Sequence, residues 1–517
     1  MKKINISESN ERKVGAVLSY VQIGIGIVAS LLYTPVMLRL IGQTEYGLYG
    51  TVNSFIGLLG LLNLGFSSSY IKFYSLYKSR NEQERINAFN SLFFIVFAVI
   101  ALLSLIIGTF FSFNLNLVFD NGLTASEYSK ARIMMVLLTL STAFGFLTTV
   151  FGCFIGANQK FVFTKCLGIF TNLISICINL VVLKLGYGAL GLVIVSISLN
   201  AINTLVYIWF AYSKLGFHFD FKNIDNSVFK EVVVFSGLIA INMVVDKINT
   251  GIDAVLLGRY CGTAVVAVYT VGANLNSHFT SFSTAISGVF TPRVHELVNS
   301  YEMDSKEQRA ALTDFFVRVG RIQYLLIALL ASGVVFFGKP FIRYWAGEGY
   351  EEAYYIGIVM ILPSIVSLTQ NVGIEIQRAE NRHHYRSYLY GIMALFNLLL
   401  SIYLVKRIGA LGAAIGTGAA CIFATIILMN IVYDKKINID VKQYWKNIGR
   451  QTLGMIIPFI CGTIIMLKIS IDSILKMILC ILLYSLIYLV FVWFFSANDS
   501  ERNLILSVVK KLVRVKN

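Results

Sequence analysis

One helical face of the seventh apolar segment carries four polar residues. They are Asn242, Asp246, Asn249 and Asp253, at spacings of four, three and four residues. Ionisable residues inside an apolar segment are costly and by default mark a transport path or a binding site. Two carboxylates on one face can hold a sodium ion or carry protons, because hard cations prefer oxygen ligands. The alternative is a pair between Asp246 and the adjacent Lys247 that only holds helices together.

The eighth segment carries a second polar row. Asn274 and His278 lie four residues apart, so they share a face, and Arg293 closes the segment. A histidine in this position can relay protons or can be a hydrogen-bonded packing residue, and both interpretations stay open. Together with the row on the seventh segment, these residues form the predicted cavity for substrate or coupling ion.

Two arginines occupy matching places after the first and the seventh segments. Arg39 and Arg259 can bind a diphosphate, because the planar guanidinium pairs with phosphate oxygens through two hydrogen bonds. They can equally stabilise the C-terminal ends of their helices, where a cation is favoured by the helix dipole. The sequence slightly favours the helix-end interpretation.

Other polar residues are predicted to have structural roles. Ser196, Asn200 and Asn203 form a stripe on the sixth segment that we expect to hold helices together through hydrogen bonds. Glu375 and Arg378 lie three residues apart in the tenth segment and are expected to form an ion pair within one helix.

Enzymatic chemistry has little support in the sequence. It contains no G-x-x-x-x-G-K-[ST] phosphate loop and no H-E-x-x-H or D-x-D metal motif. The seven cysteines occur singly, which argues against a disulfide or zinc framework. We therefore expect a transporter with no metal site and no cofactor apart from Na⁺ or H⁺ as coupling ion. A membrane-embedded glycan polymerase or transferase is the least favoured alternative, because the outer loops near 119–127 and 339–351 are short.

The elements that position these residues are membrane helices. Of the 517 residues, 57% are hydrophobic and 14% are charged, and the mean hydropathy is +0.73, whereas soluble domains carry about 25% charged residues. The apolar runs reach the roughly 20 residues that a bilayer helix needs. We expect an all-α polytopic membrane protein with about fourteen transmembrane helices. The segments are 14–41, 46–77, 87–118, 128–157, 161–184, 188–213, 229–258, 264–292, 313–338, 352–378, 385–406, 410–433, 449–468 and 474–496.

The basic residues predict the orientation. The net charge of +16 would suggest nucleic acid as partner for a soluble protein. If both termini are cytoplasmic, 31 of the 43 Lys and Arg residues lie on the cytoplasmic side of the membrane and 11 lie on the outer side. This bias follows the positive-inside rule, so we expect no nucleic-acid partner and a bacterial inner-membrane protein with both termini in the cytoplasm.

An internal repeat divides the first twelve segments into two copies. The turn Arg39–Tyr49 recurs as Arg259–Tyr269 at an offset of 220, and Gly188–Gly191 recurs as Gly409–Gly412 at an offset of 221. Six segments per copy give parallel repeats, which is the arrangement of two-lobed transporters. We expect an N-terminal lobe at 1–218 and a C-terminal lobe at 219–436. Two further helices and a basic tail occupy 437–517.

Both copies of this turn resemble a known family. The stretch Pro35–Gly42, continued by Tyr46–Tyr49, resembles the first-loop signature of the polysaccharide biosynthesis (O-antigen and capsule) flippases. The stretch Asp253–Gly258, followed by Gly262 and Tyr269, resembles the second-lobe signature. That family lies in the multidrug/oligosaccharidyl-lipid/polysaccharide exporter superfamily.

The resemblance implies a function. Family members move an undecaprenyl-diphosphate-linked oligosaccharide from the inner to the outer leaflet by alternating access, with coupling to an ion gradient. Implied partners are this polyprenyl-diphosphate-linked glycan, membrane lipids, and a polysaccharide polymerase with glycosyltransferases. Fourteen segments also resemble the branch that includes the lipid II flippases, so a peptidoglycan precursor is an alternative substrate. A cation-coupled multidrug exporter is the alternative within the same superfamily.

Overall fold

The computed structural model describes residues 8–119, 123–224, 226–503 and 506, and within these ranges it contains helices and no strand. The first copy of the repeat comprises α1 (Glu8–Ile41), α2 (Gln43–Leu59), α3 (Phe66–Ser79), α4 (Gln83–Phe113), α5 (Ala125–Ala157), α6 (Phe161–Lys184) and α7 (Gly188–Leu215). The second comprises α8 (Asn226–Tyr260), α9 (Thr263–Gly288), α10 (Thr291–Asn299), α11 (Lys306–Trp345), α12 (Glu352–Thr369), α13 (Asn371–Ala379), α14 (His384–Cys421) and α15 (Met429–Lys436). Then follow α16 (Val441–Leu453), α17 (Ile456–Lys468) and α18 (Ile474–Phe491).

Turn geometry agrees with the repeat. Gly42 and Gly262 precede α2 and α9 with φ of 77° and 87°. Gly188 and Gly409, which open the second repeated motif, have φ of 55° and 59°. Glycine adopts positive φ without the steric cost that other residues incur. These four glycines therefore have positive φ at matching positions of the two copies. The all-α fold class expected from the sequence is confirmed among the described residues.

The two repeated turns also meet each other. A Cβ atom added to Gly47 in α2 would lie 1.7 Å from the carbonyl oxygen of Thr263 and 3.2 Å from the amide nitrogen of Ala267. Ala267 is the residue equivalent to Gly47 in the second copy. One turn on, a Cβ at Gly50 would lie 3.6 Å from the hydroxyl of Thr270, again its own equivalent. Small residues thus let α2 and the first turns of α9 approach at backbone distance.

Several predicted segments are broken in the structure. The segment 46–77 consists of α2, a 3₁₀ turn at Gly60–Asn63 and α3, because Leu64 and Gly65 adopt left-handed conformations. The segment 264–292 ends as α9 before α10, whose first turn contains Pro292. The segment 352–378 is divided into α12 and α13, and the segment 449–468 falls on α16 and α17. The length and hydrophobicity of a segment do not reveal such breaks.

The number of membrane crossings differs from a simple helix count. Among the described residues, eleven helical stretches are long and apolar enough to cross a membrane, or twelve if α16 and α17, bent by 45°, form one span. One of the eleven stretches is His384–Lys436. As a single helix its 53 residues would extend about 80 Å, which is far more than one membrane crossing needs. Non-helical backbone at Ile408 and Gly409 divides it into two helices. The polar α9 lies outside this set, and the expected total of fourteen stays a prediction.

The chain forms two compact units. The first consists of Met1–Thr270 with Ser401–Ala413, and the second of Val271–Leu400 with Ala414–Asn517. In the first unit an aromatic cluster joins α3 to α4, with the ring of Phe93 5.1 Å from that of Tyr70 and 4.6 Å from that of Phe89. The lobe boundaries expected after residues 218 and 436 stay a prediction.

Three loops of the second unit meet at Arg382. Its guanidinium donates to both carboxylate oxygens of Asp304, at 2.9 and 2.6 Å, and to the carbonyl of Lys436 at 2.8 Å. These contacts hold the pKa of Asp304 below its usual value. Burial raises the pKa of the neighbouring Glu380 carboxyl to about 7, and Arg382 opposes that rise only in part. The starts of α11 and α14 and the end of α15 are thereby held together.

A buried ion pair attaches the end of the α18 region to α11. Nε and Nη2 of Arg321 donate to the two oxygens of Glu501 at 2.7 and 3.0 Å, and both side chains are more than 90% buried. Nη2 also donates to the carbonyl of Ser496 at 3.0 Å. Since a buried charge without a partner is costly, each side chain depends on the other.

We predict that Glu501→Ala destabilises the protein by roughly 3–5 kcal/mol, because it leaves the Arg321 guanidinium buried and uncompensated. The measurement is thermal unfolding of the purified protein in detergent. Asp499→Ala is the matched control, since the Asp499 side chain is 94% exposed and its distance to Arg502 is 3.6 Å. Equal melting temperatures for the two variants would contradict the structural role of the pair.

Candidate substrate cavity

The predicted row on α8 runs from the protein surface into the interior. Asp246 is exposed, Asn242 and Asn249 are partly buried, and Asp253 is 5% exposed. The two carboxylates that the spacing placed on one face therefore lie in different environments. An exposed carboxylate can exchange an ion with its surroundings, whereas a buried carboxylate needs hydrogen-bond partners.

Asp253 joins α8 to α9. The hydroxyl of Tyr269, in the second turn of α9, donates to Oδ2 of Asp253 at 2.7 Å. The equivalent positions in the first copy are Tyr33 and Tyr49, which lie close enough to interact electrostatically. A carboxylate–tyrosine pair in one copy thus replaces a tyrosine–tyrosine pair in the other, and only the second copy carries charge there.

Lys247 extends to α2. A Cβ atom added to Gly57 would lie 2.8 Å from Nζ of Lys247, so the ammonium group rests against the backbone of α2. Lys247 is partly buried. Because Lys247 directly follows Asp246, it lies about 100° away from the polar face of α8, and its neighbour there is Gly57.

A cavity of about 1090 Å³ lies between α2, α5 and α7 of the first unit. Gly57 lines it, which brings Lys247 to its edge. Among the described residues that line it, none carries a charge. Its polar lining consists of hydroxyl and amide groups, among them Asn53, Asn63, Thr148 and Thr204. A cavity with this lining suits a ligand rich in neutral hydrogen-bonding groups.

The polar stripe on α7 has a second role that the sequence did not predict. Asn203 accepts a hydrogen bond from Thr171 at 2.8 Å, as expected for a residue that holds helices together. Ser196, Asn200 and Asn203 all line the cavity as well. Helical spacing shows that such residues share a face, but it does not show whether another helix covers that face.

The predicted residues of α9 and α10 belong to the second unit. Asn274 and His278 are partly buried on α9, and Nε2 of His278 has no hydrogen-bond partner among the described residues. Arg293 is exposed on the separate helix α10, where it pairs with Glu296. The break before α10 takes Arg293 off the face that carries His278. The cavity role of these three residues stays a prediction.

The two arginines of the repeated turn, Arg39 and Arg259, lie in the last turns of their helices. Arg39 is exposed at the end of α1. Arg259, at the end of α8, donates to the carbonyl oxygen of Leu117 at 2.8 Å, and its guanidinium lies 5.7 Å from the ring centroid of Tyr260. A cation in the last turn is stabilised by the helix dipole. The placement agrees with the helix-end interpretation, and diphosphate binding stays a prediction.

The tenth-segment ion pair is confirmed. Nη1 of Arg378 lies 2.7 Å from Oε1 of Glu375 within α13. A pair of this kind, three residues apart on one helix, contributes a few tenths of a kcal/mol.

The second unit contains an apolar cavity of about 510 Å³ between α11, α12, α16 and α17. Its few polar groups are hydrogen-bonded within the protein. The hydroxyls of Thr369 and Tyr444 lie 2.8 Å apart, and those of Tyr324 and Thr452 lie 2.7 Å apart. The space left to a ligand is therefore bounded by carbon, as suits a hydrocarbon chain.

Sequence comparisons give one family and two relatives. The family model described as "Polysaccharide biosynthesis protein" matches residues 13–298. A putative O-antigen transporter of Shigella flexneri is 20% identical over 398 residues, which cover 75% of this chain and 90% of the relative. The uncharacterized membrane protein EpsK of Bacillus subtilis (strain 168) is 20% identical over 493 residues, which cover 94% and 96%.

Solved structures share the fold. The lipid II flippase MurJ, in an inward closed conformation, superposes with a TM-score of 0.70 at 18% identity and covers 92% of this chain and 97% of its own. An inward-facing multidrug resistance transporter of the MATE family superposes with a TM-score of 0.58 at 11% identity and covers 80% and 96%. At these identities the likeness concerns the fold.

We predict that Tyr269→Phe destabilises the protein by roughly 1.5–3 kcal/mol, because it removes the hydroxyl that donates to the buried carboxylate of Asp253. Thermal unfolding in detergent measures the effect. Tyr260→Phe is the matched control, since Tyr260 is 37% exposed and its ring contacts with cations survive the substitution. Equal melting temperatures for the two variants would show that the hydrogen bond from Tyr269 to Asp253 does not contribute to stability.

Proposed function

The chain belongs to the polysaccharide biosynthesis protein family, and from that premise we propose that it is a flippase for a polyprenyl-diphosphate-linked oligosaccharide. In this proposal it moves the glycan from the inner to the outer leaflet of a bacterial inner membrane by alternating access. The family and the fold make it a multi-pass membrane transporter and not an enzyme. The matched family and the Shigella relative support a transported glycan that is used to build a surface polysaccharide.

The observation that carries the proposal is the uncharged polar cavity of the first unit with a lysine at its edge. Such a substrate has three chemical parts, which are hydroxyl-rich sugars, a diphosphate and a long hydrocarbon chain. Hydroxyl and amide groups around a volume of about 1090 Å³ suit the sugars. The ammonium group of Lys247 suits the diphosphate, since a cation beside phosphate oxygens makes charge-assisted hydrogen bonds.

The second unit contains an apolar cavity between α11, α12, α16 and α17. Burial of hydrocarbon in such a cavity is favoured by roughly 25 cal/mol per Å².

Coupling to Na⁺ or H⁺ is a further part of the proposal. Asp246 is exposed and can exchange a cation, whereas Asp253 is buried and bonded to Tyr269. We therefore assign ion exchange to Asp246 and the link between α8 and α9 to Asp253. Orientation with both termini in the cytoplasm, and association with a polymerase and glycosyltransferases, belong to the proposal as well.

The test of the flippase proposal is deletion of the gene and complementation with variants. We expect deletion to abolish surface polysaccharide and leave drug susceptibility unchanged, and Lys247→Ala to lower export at least about tenfold, because it removes a charge-assisted contact. Surface glycan is quantified at equal protein level on immunoblots. Lys247→Arg, which keeps the charge, should retain export.

Two other outcomes identify the alternatives. Drug hypersensitivity with intact surface glycans would indicate a multidrug exporter. Accumulation of peptidoglycan precursors inside the cell would indicate a lipid II-type substrate.

For the coupling ion, we predict that Asp246→Asn removes the dependence of transport on an imposed Na⁺ or H⁺ gradient, because the neutral amide cannot exchange a cation. The measurement is glycan translocation in proteoliposomes with and without each gradient. Asp499→Asn, at a carboxylate that is 94% exposed, is the control and should behave as wild type. Unchanged gradient dependence in Asp246→Asn would exclude this carboxylate as the coupling site.

A further inference from the structure

Three basic residues form a row along α16. Lys442, Lys446 and Arg450 are four residues apart, so they follow one another along one side of the helix, and all three are exposed. The ion pairs in the described part of the second unit are formed by other bases. The row therefore presents positive charge to an anion from outside the chain.

This row borders the apolar cavity of the second unit. Trp445, Gly449 and Thr452 line the cavity of about 510 Å³ from α16. Since successive residues of a helix are about 100° apart, Lys442 lies about 20° around the helix from Gly449 and Lys446 about 60° from it. Two ammonium groups thus stand at the edge of a cavity whose interior is apolar.

The cavity extends away from these charges along α11. The amide of Asp440 donates to the hydroxyl of Thr313 at 3.0 Å, and the hydroxyls of Tyr324 and Thr452 lie 2.7 Å apart, so α16 and α11 run side by side in the same direction. The α11 residues that line the cavity reach from Tyr324 to Phe336. That length is about 18 Å, close to the roughly 15 Å of hydrocarbon in one leaflet of a bilayer.

The two ends of the cavity differ in chemistry. At the α16 end, the indole N–H of Trp445 donates to Asn430 at 3.1 Å, and its partly exposed ring is of the kind that lies at the boundary between water and membrane. Toward the other end the lining includes Phe336, Leu362 and Phe459, and Leu362 is 46% exposed, so the cavity opens to the surroundings. Cations at one end followed by an apolar channel match a lipid with an anionic headgroup.

We propose that this cavity binds an anionic glycerophospholipid of the leaflet beside α16. Its phosphate lies at Lys442 and Lys446, and one acyl chain follows α11. The length of the cavity suits an acyl chain, whereas an undecaprenyl chain is much longer than one leaflet is deep. A zwitterionic phospholipid has no net charge and gains less from two ammonium groups. The site lies within the second unit and does not depend on the proposed transport of a glycan.

Photolabelling of the full-length protein tests this site. The probe is phosphatidylglycerol with a diazirine near the end of one acyl chain, present at a low mole fraction in phosphatidylcholine proteoliposomes. After irradiation, peptide mass spectrometry should place the label near Phe336 and Leu362. A phosphatidylcholine with the same diazirine should label these positions at least about fivefold less, because each lysine beside an anionic headgroup contributes a factor of about five.

Variants test the headgroup and the chain separately. Lys442→Gln combined with Lys446→Gln should lower labelling by phosphatidylglycerol roughly 25-fold. Lys435→Gln combined with Lys436→Gln is the matched control, since it removes the same charge from exposed positions on α15 that do not line the cavity. Gly449→Phe should lower labelling at least about tenfold by filling the cavity; a Cβ there meets open space and a helix favours most residues over glycine, so the fold is kept.

Three outcomes would overturn the proposal. The first is equal labelling by the two phospholipids. The second is an equal loss in the α15 control, which would show a general attraction of anionic lipid to a basic surface. The third is displacement of the label by undecaprenyl phosphate but not by unlabelled phosphatidylglycerol, which would identify the polyprenyl carrier as the occupant.

Discussion

The backbones of α2 and α9 approach so closely at Gly47 that a side chain there would collide with the carbonyl of Thr263. This contact joins the two copies of the repeated turn at equivalent positions, because Gly47 faces Ala267 and Gly50 faces Thr270. Without a water-driven hydrophobic effect between helices in a bilayer, such close packing is a main source of helix association. The start of α9, which carries Tyr269, is positioned by it.

The two copies of the repeated turn differ in charge at one pair of equivalent positions. The pair of Asp253 and Tyr269 in the second copy corresponds to Tyr33 and Tyr49 in the first. The charged row of α8 has no counterpart among the residues that line the cavity between α2, α5 and α7. In the proposed function, ion exchange belongs to α8 and sugar recognition to the cavity, and Lys247 reaches from α8 to the edge of that cavity.

Much of the architecture could be predicted from the sequence, since the bilayer restricts the choice to apolar helices of sufficient length. The repeat was predictable because its turns need a positive φ, which glycine adopts more easily than other residues. Gly42 and Gly262 illustrate this. The breaks were not predictable. The run 46–77 contains no proline and is long enough for one helix, yet Leu64 and Gly65 interrupt it, and the effect depends on what packs around them.

The sequence by itself determined that this is an all-helical membrane protein with a duplicated core, and it identified polar residues that had to be paired or functional. Only the tertiary structure decided their environments. Asp246 and Asp253 look alike in the sequence, but one is exposed and the other accepts a hydrogen bond from Tyr269. The stripe with Asn200 was predicted to hold helices together, and the structure shows that it lines a cavity. Helical spacing specifies which residues share a face, whereas the neighbours of that face are set by residues distant in the chain.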